Sequence, residues 1–102
     1  MDNDRTILMS VVDAFVTEAP VLIQRFSDAI ESGDRDAATR SAHTLKGNFG
    51  ILSQEAERDL WQQAESLARE GNFDELRELA IEVRKKSQYV LGELKKFMES
   101  QE

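Results

Sequence analysis

Cysteine is absent from this 102-residue chain, and histidine occurs once, at position 43. Without cysteine there are no disulfides and no thiolate metal ligands, and a single histidine cannot supply the histidine pairs of zinc sites. Any chemistry must therefore use His43, carboxylates, lysines or hydroxyls. Basic residues are also scarce. The chain has 13 Lys and Arg against 20 Asp and Glu, a net charge of −7, and such a surface is a poor match for nucleic acid. No unbroken apolar run approaches the roughly 18 to 20 residues of a membrane span, and the start Met1-Asp2-Asn3-Asp4-Arg5 lacks a basic-then-apolar signal pattern. A cytoplasmic location without membrane contact is expected.

Proline occurs once and glycine five times, so each one is a meaningful punctuation mark. The length suits one domain over residues 1–102, and 40% hydrophobic with 32% charged residues suits amphipathic helices around a core. Ile7, Leu8, Val11, Val12 and Phe15 recur at helical steps and predict a short helix over residues 4–18. Pro20 is expected to open a second helix, which Leu22, Ile23, Phe26, Ala29 and Ile30 carry to about Ser32. Gly33-Asp34 reads as a helix stop and an N-cap before a third helix over residues 35–50. Ser53 is the expected N-cap of the next helix, with Glu55 and Glu57 in its first turn and an apolar stripe of Leu60, Ala64 and Leu67, flanked by Trp61 and Ala68. Gly71-Asn72 repeats the stop-then-cap pattern, with Glu75 placed for a capping box. The longest helix follows. Its seam is expected through Leu76, Leu79, Val83, Val90, Leu94 and Phe97, broken at Ser87. The predicted fold is all-α, an antiparallel four-helix bundle with an additional short N-terminal helix across one end.

In the third of these helices Ala38, Ala42, Leu45, Phe49 and Leu52 form one apolar seam. At about 100° per residue His43 lies roughly 140° from its centre, on the solvent face with Asp36, Arg40 and Gly47. Lys46 is one turn along, where its ammonium can reach the imidazole. Gly47 removes a side chain beside the ring at a cost of about 1 kcal/mol relative to alanine, which calls for a compensating use such as close approach by another protein. A phosphoryl carrier needs a neutral, exposed imidazole with positive charge nearby for the arriving oxygens. His43, Lys46 and Gly47 meet those needs.

The string Ala42-His43-Thr44-Leu45-Lys46-Gly47-Asn48 resembles the phosphorylation motif of histidine-containing phosphotransfer domains, and the turns and helix lengths around it resemble the family's layout over nearly the whole chain. The resemblance implies that His43 accepts a phosphoryl group, that Lys46 helps to hold it and that Gly47 gives a partner clearance. It also implies a hydrogen bond to the histidine from the next helix, for which Glu65 is the expected residue and Gln62 the alternative. Thr39, Arg40 and Thr44 are the expected docking residues. The implied partners are a histidine kinase and a response-regulator receiver domain, which would supply Mg²⁺; no cofactor or metal of the chain's own is expected, and a monomer is. Asn48 and the bulky Phe49 depart from the family's usual small residues, but Phe49 belongs to the core seam.

Plainer readings apply elsewhere. Trp61 is read as core rather than as a binding hot spot. Asp74, Glu75 and Glu78, and the Arg84-Lys85-Lys86 cluster, are read as solvated helix faces. A helical adaptor that binds a partner without transfer is the alternative function. A hydrolase using His43 as a base lacks a nucleophile or metal at recognisable spacing.

Overall fold

Connections of two or three residues separate four helices in the computed structural model, which describes residues 2–100: α1 Asp2–Ser32, α2 Arg35–Ile51, α3 Glu55–Glu70 and α4 Phe73–Ser100. There is no strand among the described residues. α1 packs on α2, α2 on α3, α3 on α4 and α4 back on α1, while the backbones of the diagonal pairs stay apart and meet only through core side chains such as Phe26 and Trp61. The four helices thus close a ring around one core.

The expected break at Pro20 does not occur, and among the described residues there is no separate short N-terminal helix. Proline in a helix interior removes one hydrogen bond and crowds the preceding turn, at a cost of about 3 kcal/mol. Against that, Val12, Phe15, Ala19, Ile23, Phe26 and Ile30 are all buried and follow one another at steps of three and four residues straight through the proline. Each large member contributes about 1.5–3 kcal/mol, so keeping the stripe in register outweighs the break. By length and composition alone α1 is apolar enough to cross a membrane, a property hidden in the sequence because Asp13 and Glu18 interrupt its runs. In the bundle its stripe faces the core, whereas Ile7, Leu8, Val11 and Val21, the first three expected inside, are exposed.

Two of the three turns follow the expected pattern. Gly33 has φ +71°, with its N–H donating to Ile30 and that of Asp34 to Ala29, and the Asp34 carboxylate accepts from the Ala37 N–H at 3.1 Å. Gly71, at φ +75°, ends α3 likewise, and Asn72 Oδ1 accepts from the Glu75 N–H at 3.4 Å. Ser53 does not cap α3. It adopts φ +58° and ends α2, its N–H donating to Gly50 and that of Gln54 to Phe49, so Gln54 takes the N-cap position without a side-chain bond.

Two faces are rotated from expectation. On α3 the buried residues are Trp61, Ala64, Glu65 and Ala68, with Leu60 and Leu67 only half-buried. On α4 they are Leu76, Ala80, Val83, Ser87 and Leu91, while Leu79, Val90 and Leu94 flank the core and Phe97 is exposed. The cause is Trp61. Its ring packs edge-on to Phe26 at 4.8 Å, and its buried Nε1–H donates to Ser87 Oγ at 2.9 Å. Burying an indole requires a partner for that N–H, so Ser87 belongs to the seam it was expected to interrupt. On α2, Ala38, Ala42, Leu45 and Phe49 are buried as predicted and Leu52 is half-buried.

Candidate functional site

Because Ala42 and Leu45 point inward, His43 between them points out, and its side chain is 65% exposed. The facing residue on α3 is Glu65, only 2% exposed, held under the ring because Ala64 and Ala68 on either side are packed into the core. His43 Nδ1 lies 3.0 Å from Glu65 Oε2. With the carboxylate ionised, that bond requires the proton on Nδ1, which leaves Nε2 as the ring's lone-pair nitrogen.

Three nitrogen groups converge on Glu65. Lys46 Nζ stands 2.8 Å from Oε1 and donates to Gln62 Oε1 at 3.1 Å. The Lys46 contact is poorly directed for a hydrogen bond, leaving the buried Oε1 held chiefly by charge. Arg69 Nη2, one turn after Glu65, donates to Oε2 at 2.6 Å. Burial pushes the Glu65 carboxyl up, but the close Lys46 ammonium, with hydrogen bonds from His43 and Arg69, outweighs it and holds the group below the usual glutamate range. The buried group is therefore an anion at neutral pH.

Gly47 is exposed, and a Cβ built there would meet nothing within 4 Å. The fold itself does not require glycine at this position. Among the described residues no group of three or more His, Asp or Glu side chains is disposed to hold a metal ion.

The model of the Hpt domain family matches residues 10–98, nearly the whole chain. This protein belongs to the Hpt domain family. Such domains carry phosphoryl groups on histidine in two-component phosphorelays, and interact there with kinases and receiver domains rather than acting as catalysts in their own right. No curated protein and no solved structure matches the chain.

In this Hpt domain the sequence-predicted residues fall into three groups. His43, Lys46 and Glu65 meet in one cluster, with Gln62 bound to Lys46 rather than to the imidazole. Arg40 and Thr44 line a shallow groove between α1 and α2, with Leu22, Arg25 and Asp28 across from them. Thr39 is not part of that groove; its hydroxyl donates to the Arg35 carbonyl at 2.8 Å. Arg69 was missed. Its only sequence signal is a Glu-to-Arg spacing of four, which recurs on many solvated helix faces.

Proposed function

We propose that His43 is the phosphoryl acceptor of this Hpt domain, exchanging the group with an aspartate of a response-regulator receiver. The supporting observation is the exposed imidazole whose Nδ1 is engaged by a buried carboxylate. The Nε2 lone pair attacks the phosphorus of the receiver's aspartyl phosphate; the N–P bond forms, the P–O bond to aspartate breaks, and the carboxylate leaves. The proton stays on Nδ1, where Glu65 stabilises the positive charge that the ring acquires. Lys46, one turn away, is close enough to turn its ammonium toward the phosphoryl oxygens, and Gly47 leaves room for the receiver. Mg²⁺ belongs to the receiver's site.

Further readings belong to this proposal. Connections of two and three residues, and an α1–α2 contact in which Phe15 meets Phe49 while the chain reverses at Gly33-Asp34, favour antiparallel neighbours. Residues 1–102 form one phosphotransfer domain, cytoplasmic and monomeric. The test is incubation with a phosphorylated receiver. Acid-labile, base-stable label is expected on His43 alone, and His43→Gln should remove it with helix content unchanged. Label that survives the substitution would overturn the assignment, and a receiver-bound chain that takes up no label would leave the adaptor reading in its place.

A further inference from the structure

Arg69 plays no part in the proposal above, yet it makes the shortest polar contact of the site. Its Nη2 donates to Glu65 Oε2 at 2.6 Å, and His43 Nδ1 meets that same oxygen at 3.0 Å. The two groups therefore compete for one acceptor. A buried carboxylate beside an imidazole favours the protonated ring, and an imidazolium has no lone pair with which to attack phosphorus. A cation on the shared oxygen opposes that effect twice, by drawing charge from the acceptor and by repelling a second positive charge nearby.

We propose that Arg69 is a positioning residue that shares Glu65 Oε2 with His43, counters the pull of the carboxylate on the ring, and so extends to lower pH the range over which His43 is a nucleophile. The inference rests on phosphoryl carriage by His43. Among the described residues, the charged groups within ion-pair distance of Glu65 are His43 and Lys46 from α2 and Arg69 from α3, with none from α4, the other neighbour of α3. On the opposite flank of α2, Arg40 faces a groove to which α1 brings one residue of each sign, Arg25 and Asp28. Lys46 occupies the other carboxylate oxygen, so Arg69 is the cation placed to act on the oxygen that His43 uses. A purely structural account also exists: Glu and Arg four residues apart form an ordinary helix pair, with Arg near the C-terminus where the helix dipole favours it. That account predicts no effect on the pH dependence of transfer.

The experiment measures transfer from a phosphorylated receiver against pH for the unsubstituted chain, Arg69→Gln, Arg69→Lys, Glu65→Gln and the Glu65→Gln/Arg69→Gln double variant, with helix content followed throughout. Arg69→Gln should move the acidic limb of the profile up by about half a unit to one unit, so that transfer on that limb falls about three- to tenfold while the rate at high pH is kept. Arg69→Lys should restore most of the original profile, and in the Glu65→Gln background the same Arg69 change should move it little. An unmoved limb would overturn the proposal. So would a rate that falls equally at every pH, which would instead mark Arg69 as contacting the phosphoryl group or partner, or a shift undiminished in the Glu65→Gln background. His43 is the only histidine, so its ring signals in a magnetic-resonance titration report the same displacement without any partner. If His43 carried no phosphoryl group, labelling would fail while this titration still tested the Arg69–Glu65–His43 coupling.

Discussion

At the scale of single residues the site separates groups that serve the fold from groups that the fold leaves free. Glu65 is buried against three nitrogen partners, whereas Gly47 touches nothing that a side chain would disturb. A helix-interior glycine costs several tenths of a kcal/mol relative to glutamine, and open space around it means that nothing in the domain recovers this cost. Gly47→Gln should therefore unfold at an equal or higher temperature. Transfer from a phosphorylated receiver should fall steeply, because in the proposed reaction the receiver's aspartate comes into line with His43 close to that turn. Thermal unfolding and transfer rate measured on the same variant decide the matter; undiminished transfer would show that the partner approaches from elsewhere. His43, Lys46 and Gly47 were legible as a unit because they lie on one helix, where spacing alone places them. Glu65 was legible only through a family resemblance, and Arg69 not at all, since their meeting depends on how α3 sits against α2.

At the scale of elements, helix ends were read well where glycine marks them and misread where it does not. Gly33 and Gly71 take the left-handed conformation without strain, but Ser53 takes it at φ +58°, a conformation that costs a non-glycine residue on the order of 1–2 kcal/mol. Part of that cost would return to a glycine as greater freedom in the unfolded chain. Ser53→Gly should therefore stabilise the domain by about 0.5–1 kcal/mol, measurable by urea unfolding as a higher midpoint at unchanged slope. Destabilisation would mean that the hydroxyl supports the turn in some other way. Pro20 shows the opposite lesson: a residue usually read as a boundary sits on the exposed side of a helix whose buried stripe is continuous. Local propensity yields there to the combined burial of six apolar side chains along one face.

At the scale of the whole molecule, the buried Glu65 anion links the site to stability. Its carboxyl titrates below the usual glutamate range in the folded chain, so the unfolded chain takes up a proton at higher pH than the folded one. The stabilisation that follows is fully present above the unfolded value of about 4.3 and is lost as pH falls through the lower folded value. In Glu65→Gln this contribution is missing. The stability difference between the two proteins should therefore change as pH is lowered from 7 into the acid range, in the direction of the unsubstituted protein losing more. Chemical unfolding of both at several pH values measures it, and a pH-independent difference would show that the cluster does not hold Glu65 ionised.

The sequence by itself determined the helical class, the two glycine-marked turns, the inward face of α2 and hence the outward face that carries His43. All of these follow from periodicity and backbone preference within one segment, which act over a few residues. The tertiary structure alone decided that α1 runs unbroken through Pro20, that the faces of α3 and α4 rotate to bring Trp61 onto Ser87, and that Glu65 gathers His43, Lys46 and Arg69. Each of these outcomes is a contest between partners distant in sequence, an indole N–H needing an acceptor or a buried carboxylate needing cations. Only packing one helix against another determines which partner meets that need.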